Sequence, residues 1–152
     1  MSLTDDISLL AKVPVFQELS DEQLRLIAFG TEKRRLTKGQ VLFKESSPAE
    51  CAYIVCNGTI ELSVENQNGQ QVHQFNAGVG VMLSELALFT LCERKFTAIA
   101  ASDVEVLRVT RAIFHRLVEE YPDIGHSVMR RIQDNIARLA SGAAGMQHHF
   151  MK

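Results

Sequence analysis

The sequence predicts an α+β fold that is mainly β, with short strands in the middle of the chain and helices at both ends. Three observations lead to this prediction: a capped helical pattern before residue 31, short runs of alternating apolar and polar residues over 31–109, and a return of helical spacing over 110–141. The strands are short and evenly spaced, which is typical of a jelly-roll or a sandwich.

The helical pattern near the amino terminus has a clear start. Ser20 followed three residues later by Gln23 forms a capping box, and Leu19 and Leu24 are placed to form a hydrophobic staple. We therefore expect a helix that starts at Ser20 and ends near Gly30.

The middle of the chain predicts several strands. Ile60, Leu62 and Val64 alternate with polar residues, as in a strand with one face buried. Asn68 and Gly69 are predicted to supply the two positive-φ residues of a tight hairpin, with residues 71–75 as the returning strand. Further strands are expected at 41–44, 52–55, 96–101 and 104–109.

Two helices are expected at the carboxyl end. Thr110 can cap a helix that reaches Glu120, and Pro122 separates it from a second helix over 123–141. The apolar stripe of the second helix contains Ile124, Val128, Ile132, Ile136 and Leu139. This stripe must be buried on the β region, on the same helix of a second copy in a homodimer, or on both. Residues 142–152 lose the period and are expected to fray.

The length, composition and charge of the chain narrow the range of domain organisations and functions that we expect. The 152 residues, 46% of them hydrophobic, suffice for one core, so we expect one domain over 1–152: an N-terminal helical region over 1–30, a β region over 31–109, helices over 110–141 and a tail. A net charge of −2 and the lack of a long apolar segment argue against binding to nucleic acid or membrane, and predict a cytoplasmic protein. About ten residues follow Ser141, too few for a DNA-recognition module.

No metal site or catalytic motif is expected. Cys51 and Cys56 lie an odd number of residues apart on one predicted strand and therefore point to opposite faces. The histidines have no metal-ligand spacing; they are His73, His115, His126, His148 and His149. Neither a nucleophile elbow nor a phosphate loop occurs, so the sequence predicts a protein that is not an enzyme.

Residues 78–98 contain the side chains and turns that are best suited to bind a ligand. Ser84 is predicted to cap a short helix over 85–90, whose first amides have no helical partner and can bind an anion. Arg94 follows with a guanidinium that can bind a phosphate through two hydrogen bonds, although a salt bridge with Glu85 or Glu93 is the alternative. A carboxylate such as Glu85 beside a phosphate suits a ribose hydroxyl. The segment therefore predicts a ligand with phosphate and sugar.

This segment resembles the phosphate-binding cassette of cyclic-nucleotide-binding domains. Residues 84–88 read Ser-Glu-Leu-Ala-Leu and residues 94–97 read Arg-Lys-Phe-Thr, where the family usually has Gly-Glu-Leu-Ala-Leu and then Arg, two small residues and often Thr. Segments 12–16, 38–43, 53–58 and 103–107 are similar to other family landmarks in the same order. The catabolite activator protein and the regulatory subunits of cyclic-AMP-dependent kinase share this domain.

The resemblance implies a double-stranded β-helix, or jelly-roll barrel, flanked by N-terminal helices and two C-terminal helices. It implies that Arg94 pairs with the cyclic phosphate, that Glu85 accepts from the ribose 2′-hydroxyl, and that the amides of Leu86 and Ala87 cradle the ligand. Ser84 replaces the usual glycine. Lys95, in place of a small residue, either adds a second cation or blocks the phosphate, and Phe96 is expected to turn into the barrel.

Two functions are consistent with these residues. The first is a non-catalytic regulatory sensor that binds a cyclic nucleotide, cyclic AMP rather than cyclic GMP, and signals through its C-terminal helices to a partner or to a missing effector domain. The alternative is a degenerate member that serves as an interaction or dimerisation scaffold without binding nucleotide. The substitutions at Ser84, Lys95 and Phe96 motivate this alternative.

Overall fold

A computed structural model describes the backbone of residues 3–142 and the side chains of residues 3–134. The helices in this range are α1 Leu3–Lys12, α2 Asp21–Gly30, α3 Arg111–Glu120 and α4 Pro122–Gly142, with short 3₁₀ helices at Pro14–Phe16 and Glu85–Leu88. The strands are β1 Glu32–Leu36, β2 Val41–Phe43, β3 Pro48–Ala49, β4 Cys51–Asn57, β5 Ile60–Glu65, β6 Gln71–Ala77, β7 Met82–Leu83, β8 Cys92–Glu93, β9 Thr97–Ala100 and β10 Val104–Thr110. The predicted order of helices, strands and helices is confirmed.

The strands form antiparallel sheets that remain open. One sheet has the order β1-β10-β4-β7, a second has the order β2-β9-β5-β6, and β3 pairs with β8 alone. The closed jelly-roll barrel expected from the sequence is therefore not formed by the strands of the described residues. The pairing ends early because β7 and β8 have only two residues each, too few to continue a ladder into the next sheet.

Strand β4 separates two hydrophobic cores. Cys51, Tyr53 and Val55 belong to a cluster between the two larger sheets, which we call the inter-sheet cluster. The alternate residues Ile54 and Cys56 belong to a second cluster that includes the helices, which we call the helical cluster. This alternation confirms that Cys51 and Cys56 point to opposite faces, and all three cysteines of the chain are free thiols.

Two predicted helix caps are confirmed. The Ser20 hydroxyl accepts from the Gln23 amide at 3.2 Å, while the Gln23 side chain accepts from the Ser20 amide at 2.8 Å. The Thr110 hydroxyl likewise accepts from the amide of Ile113 at 3.2 Å. Local side-chain chemistry therefore fixes the start of α2 and of α3.

The apolar stripe of α4 packs on the same chain. Ile124, Val128 and Ile132 are buried in the helical cluster. The side chains of Ile136 and Leu139 lie outside the described residues, as does the predicted tail from residue 143 with its two histidines. Within residues 3–142, none of the helices is long and apolar enough to cross a membrane.

The hairpin between β5 and β6 differs from the prediction. Gly69 has φ +77, but Asn68 is not among the residues with positive φ. Instead, the side-chain oxygen of Asn66 accepts from the amides of Asn68 and Gln70, each at 2.9 Å. The loop is therefore longer than the predicted two-residue turn because Asn66 supplies acceptors that close a wider loop.

Candidate functional site

Ser84 does not cap the short helix as predicted. Its backbone is left-handed, with φ +64 and ψ +45, and its side chain makes no capping hydrogen bond. A capping residue needs an extended backbone to place its oxygen over the first amides of the helix, and this conformation prevents it. A left-handed conformation costs a residue with a side chain roughly 1–2 kcal/mol, whereas glycine adopts it freely. The structure thus explains why a glycine would suit this position.

The helix Glu85–Leu88 presents fewer free amides than the sequence suggested. Its first hydrogen bond runs from the Ala87 amide to the Ser84 carbonyl at 3.0 Å. The amides of Glu85 and Leu86 precede this bond and have no partner within the helix. Ala87 is fully buried, and its amide is already engaged. Donation to a ligand therefore falls on Leu86 rather than on Ala87.

Glu85 lines a cleft of about 370 Å³ between the N-terminal segment and the strand that precedes the short helix. The other walls are residues 12–15 and 79–82. Burial raises the pKa of the Glu85 carboxyl, and the positive charge of Lys95 partly opposes that rise. A half-buried carboxylate of this kind gains from a hydroxyl that donates to it.

Arg94 is buried between the two larger sheets. Its guanidinium carbon lies 4.5 Å from the ring centroid of Phe43 and 5.3 Å from that of Tyr53. Nη1 donates to the Cys51 carbonyl at 2.9 Å, and Nη2 lies 3.4 Å from the Cys51 sulfur. The buried Nε has no hydrogen-bond partner among the described residues. Arg94 is therefore held by neutral groups, and its Nε–H is unpaired.

The salt bridge considered for Arg94 is not formed. Among the described residues, neither Glu85 nor Glu93 makes an ion pair with Arg94. The cleft beside Glu85 does not include Arg94 in its walls either. The structure thus places the two predicted ligand residues in different surroundings, one at a cleft and one between the sheets.

The three residues after Arg94 differ in their exposure to solvent. Lys95 is exposed, so it does not fill the space between the sheets. Phe96 packs against the inter-sheet cluster and meets Phe75 edge to face at 5.4 Å, as the sequence predicted. The Thr97 hydroxyl is buried and accepts from the Glu45 amide at 3.0 Å.

Arg111 contacts the cassette, a connection that the sequence did not reveal. Its Nε donates to the Ala87 carbonyl at 2.8 Å, and its Nη2 donates to the carbonyls of Ala49 at 2.9 Å and Thr90 at 3.1 Å. It therefore ties the short helix to the first turn of α3. A positive charge directly after the Thr110 cap opposes the helix dipole, and this was the available signal that Arg111 serves another purpose.

A metal centre is not indicated by these side chains. Within the described part of the chain, no group of three or more histidine, cysteine, aspartate or glutamate residues is placed to hold a metal ion. The chemistry available at the site is hydrogen bonding and charge.

The chain is similar to solved structures and to curated proteins. A cyclic nucleotide-binding-like protein from Brucella abortus bv. 1 str. 9-941 is 43% identical, with a TM-score of 0.70 over 76% of this chain and 98% of that one. The catabolite activator protein of Thermus thermophilus is 24% identical, with a TM-score of 0.69 over 86% of this chain and 63% of that one, and this likeness shows the fold alone.

A curated relative is much longer than this chain. Lysophospholipase NTE1 of Chaetomium globosum is 29% identical over 120 residues, which are 79% of this chain but only 8% of that protein. The similarity therefore concerns one small segment of the lysophospholipase.

A family model decides the assignment. The cyclic nucleotide-binding domain model matches residues 33–121, which include Ser84, Glu85 and Arg94. The match covers more than half of the chain and contains the whole cassette on which the resemblance rested. The chain belongs to the family of cyclic nucleotide-binding domains.

Proposed function

We propose that this chain is a cytoplasmic, non-catalytic sensor domain that binds a cyclic nucleotide, cyclic AMP in preference to cyclic GMP. The observation that carries the proposal is the buried Nε of Arg94, which has no hydrogen-bond partner in the part of the chain that the structure describes. Buried polar groups are nearly always hydrogen-bonded. A buried donor without a partner is therefore available to bind an acceptor on a ligand. A phosphate oxygen is the acceptor that a guanidinium binds best.

The other residues of the cassette make the remaining contacts with the ligand in this proposal. Glu85 accepts from the ribose 2′-hydroxyl, which compensates for the burial that raises the pKa of its carboxyl. The amide of Leu86 donates to the phosphate, with Ala87 and Ser84 holding the turn. Lys95 is exposed and adds a second positive charge at the entrance. Arg94 must shift from the Cys51 carbonyl towards the phosphate for these contacts to form together.

The contacts of Arg111 support the proposal that the domain signals through its C-terminal helices. This side chain joins the carbonyl of Ala87 in the cassette to α3, and α3 packs on α4. A ligand that moves the short helix changes these bonds. It then favours whichever packing of α3 and α4 it binds more tightly.

A thermal-shift titration with cyclic AMP and cyclic GMP tests the proposal. Ligand at about 100 times its dissociation constant adds about 2.7 kcal/mol of stability, or roughly 5–10 °C in Tm for a chain of this size. Glu85→Gln and Arg94→Lys should each weaken cyclic AMP binding at least tenfold. The exposed Glu93→Gln is the matched control and should bind as the parent protein does. Equal binding by all three variants, or no shift with millimolar nucleotide, refutes the proposal.

A second candidate is a scaffold that binds no nucleotide. It is favoured by the contacts of Arg94 with the Cys51 carbonyl and two aromatic rings, which hold the side chain without a ligand. In this case α4 would form a homodimer, but Ile132 is fully buried in its own chain and cannot be the contact. Sedimentation velocity at several concentrations tests dimerisation, and a monomer refutes the homodimer but not a scaffold that binds a different protein.

A further inference from the structure

Two arginines outside the cassette lie on the same face of the first sheet as Tyr53. In the β-ladder, Arg108 pairs with Tyr53 across β10 and β4, and Arg34 pairs with Val106 across β1 and β10. Tyr53 and Val106 both belong to the inter-sheet cluster. Because side chains alternate along a strand, Arg34 and Arg108 occupy the face that looks towards the second sheet.

One of these arginines binds the hydroxyl of Tyr53, and the other lies directly across the ladder from it. Nη1 of Arg34 donates to this oxygen at 3.1 Å, and Arg108 is the cross-strand partner of Tyr53. Arg94 lies on the ring of the same tyrosine, with 5.3 Å between its guanidinium carbon and the ring centroid. Three guanidiniums therefore surround one neutral side chain.

The positive charge of this group is poorly balanced. Glu32 is the carboxylate nearest to Arg108, at 3.8 Å, and its side chain is 70% exposed. An ion pair of that length and exposure contributes little. Like charges held around one hydroxyl repel each other, and an anion placed among them relieves the repulsion. The tyrosine proton also remains available, since Arg34 donates to its oxygen.

The group is open to solvent at one end. Arg34 is exposed and lies on β1, the edge strand of its sheet, whereas Arg94 is only 5% exposed. Arg34 therefore contacts Tyr53 at the solvent side, and Arg94 contacts the ring of the same tyrosine between the sheets. This arrangement provides two places for negative charge near one tyrosine.

We propose that Arg34, Arg108 and Tyr53 bind a second phosphate of the ligand, so that the preferred ligand carries two phosphates rather than one. The proposal rests on the proposed function, in which Arg94 binds the first phosphate. Two ligand classes share this chemistry: a cyclic dinucleotide, and a linear nucleoside bisphosphate.

Isothermal titration of the full chain with three nucleotide probes tests the proposal. The probes are cyclic AMP, cyclic dimeric GMP and adenosine 3′,5′-bisphosphate, with inorganic pyrophosphate to detect simple anion binding. We expect at least one of the two-phosphate nucleotides to bind tenfold or more tightly than cyclic AMP and pyrophosphate. Which of them does so identifies the ligand class.

Neighbouring residues of β1 supply the matched variants. Arg34→Gln removes one cation of the group, and Arg35→Gln removes a cation from the opposite face, where Arg35 Nε contacts Glu105 at 3.0 Å. Both side chains are exposed, so neither variant endangers the fold. Arg34→Gln should weaken the two-phosphate ligand at least tenfold and cyclic AMP less than twofold, while Arg35→Gln should change neither by more than twofold.

The outcomes separate this inference from the proposed function. If cyclic AMP binds and the two-phosphate nucleotides bind no more tightly, the second site is refuted and the sensor function stands. Equal losses in the Arg34 and Arg35 variants also refute it, because they indicate a general effect of charge. If none of the three nucleotides binds, both proposals fail.

Discussion

Arg111→Ala is expected to destabilise the protein more than any other surface change in its region. The variant removes all three side-chain hydrogen bonds that join α3 to the carbonyls of Ala87, Ala49 and Thr90. Ala87 and Ala49 are almost fully buried, at 0% and 1% exposure, so water reaches their carbonyls poorly. The loss of Arg111 removes a charged donor from two buried acceptors.

The magnitude follows from those two acceptors. A hydrogen bond to a charged group contributes about 1.5–3 kcal/mol, and an unsatisfied buried acceptor costs a similar amount. Because Arg111 itself is half-buried and water can partly replace it, the lower end of the range applies. We therefore expect a loss of about 3 kcal/mol in the free energy of unfolding, from two such acceptors. For a chain of this size, that corresponds to a decrease of roughly 6–12 °C in Tm.

Urea unfolding followed by circular dichroism measures this change. Arg116→Ala, an exposed position on the same helix, is the control and should cost less than about 0.5 kcal/mol. Arg111→Lys should fall between the two, because an ammonium group cannot span both carbonyls as the guanidinium does. A loss below about 1 kcal/mol in Arg111→Ala, or one equal to that of the control, would show that the three bonds do not hold the cassette to α3.

Three further predictions follow from the same structure. Ser84→Gly should raise the free energy of unfolding by roughly 0.5–1 kcal/mol in urea, as should Ser46→Gly, because both serines have positive φ, +64 and +70. Burial raises the pKa of the Cys56 thiol to about 12, so iodoacetamide at pH 8 should label the half-buried Cys92 and spare Cys56 until urea is added. Burial raises the pKa of Glu85, so the native state holds this proton more tightly and loses stability as pH rises through that pKa. Glu85→Gln should therefore have a higher Tm than the parent at pH 7 and an equal Tm near pH 4; no difference at pH 7 contradicts this.

The elements predicted best are those with local causes. The starts of α2 and α3 depend on Ser20 and Thr110, each bonded to an amide three residues later, so neighbouring residues contain the whole signal. The hairpin after β5 failed for a related reason. Asn68-Gly69 is a strong turn signal, but Asn66 bonds two amides and closes a longer loop, a competing local signal that the prediction did not weigh.

The residues of the candidate site stay a prediction, and their geometry could be predicted only in part. Glu85 and Arg94 follow from the cassette pattern, but the surroundings of Arg94 come from Phe43, Cys51 and Tyr53 on other strands. Those contacts depend on sheet register, which the sequence did not provide. The left-handed backbone of Ser84 was missed because serine is also a common cap, and local preference alone favoured that role.

The two arginines of the site act on one short stretch of backbone. Arg94 binds the carbonyl of Cys51, and Arg111 binds the carbonyl of Ala49, two residues earlier. The Arg111 amide also donates to the carbonyl of Glu50, between them. A phosphate that draws Arg94 away from Cys51 therefore frees an acceptor beside those that anchor α3. These three consecutive carbonyls link the contacts of Arg94 to those of Arg111, and the proposed signalling to the C-terminal helices requires such a link.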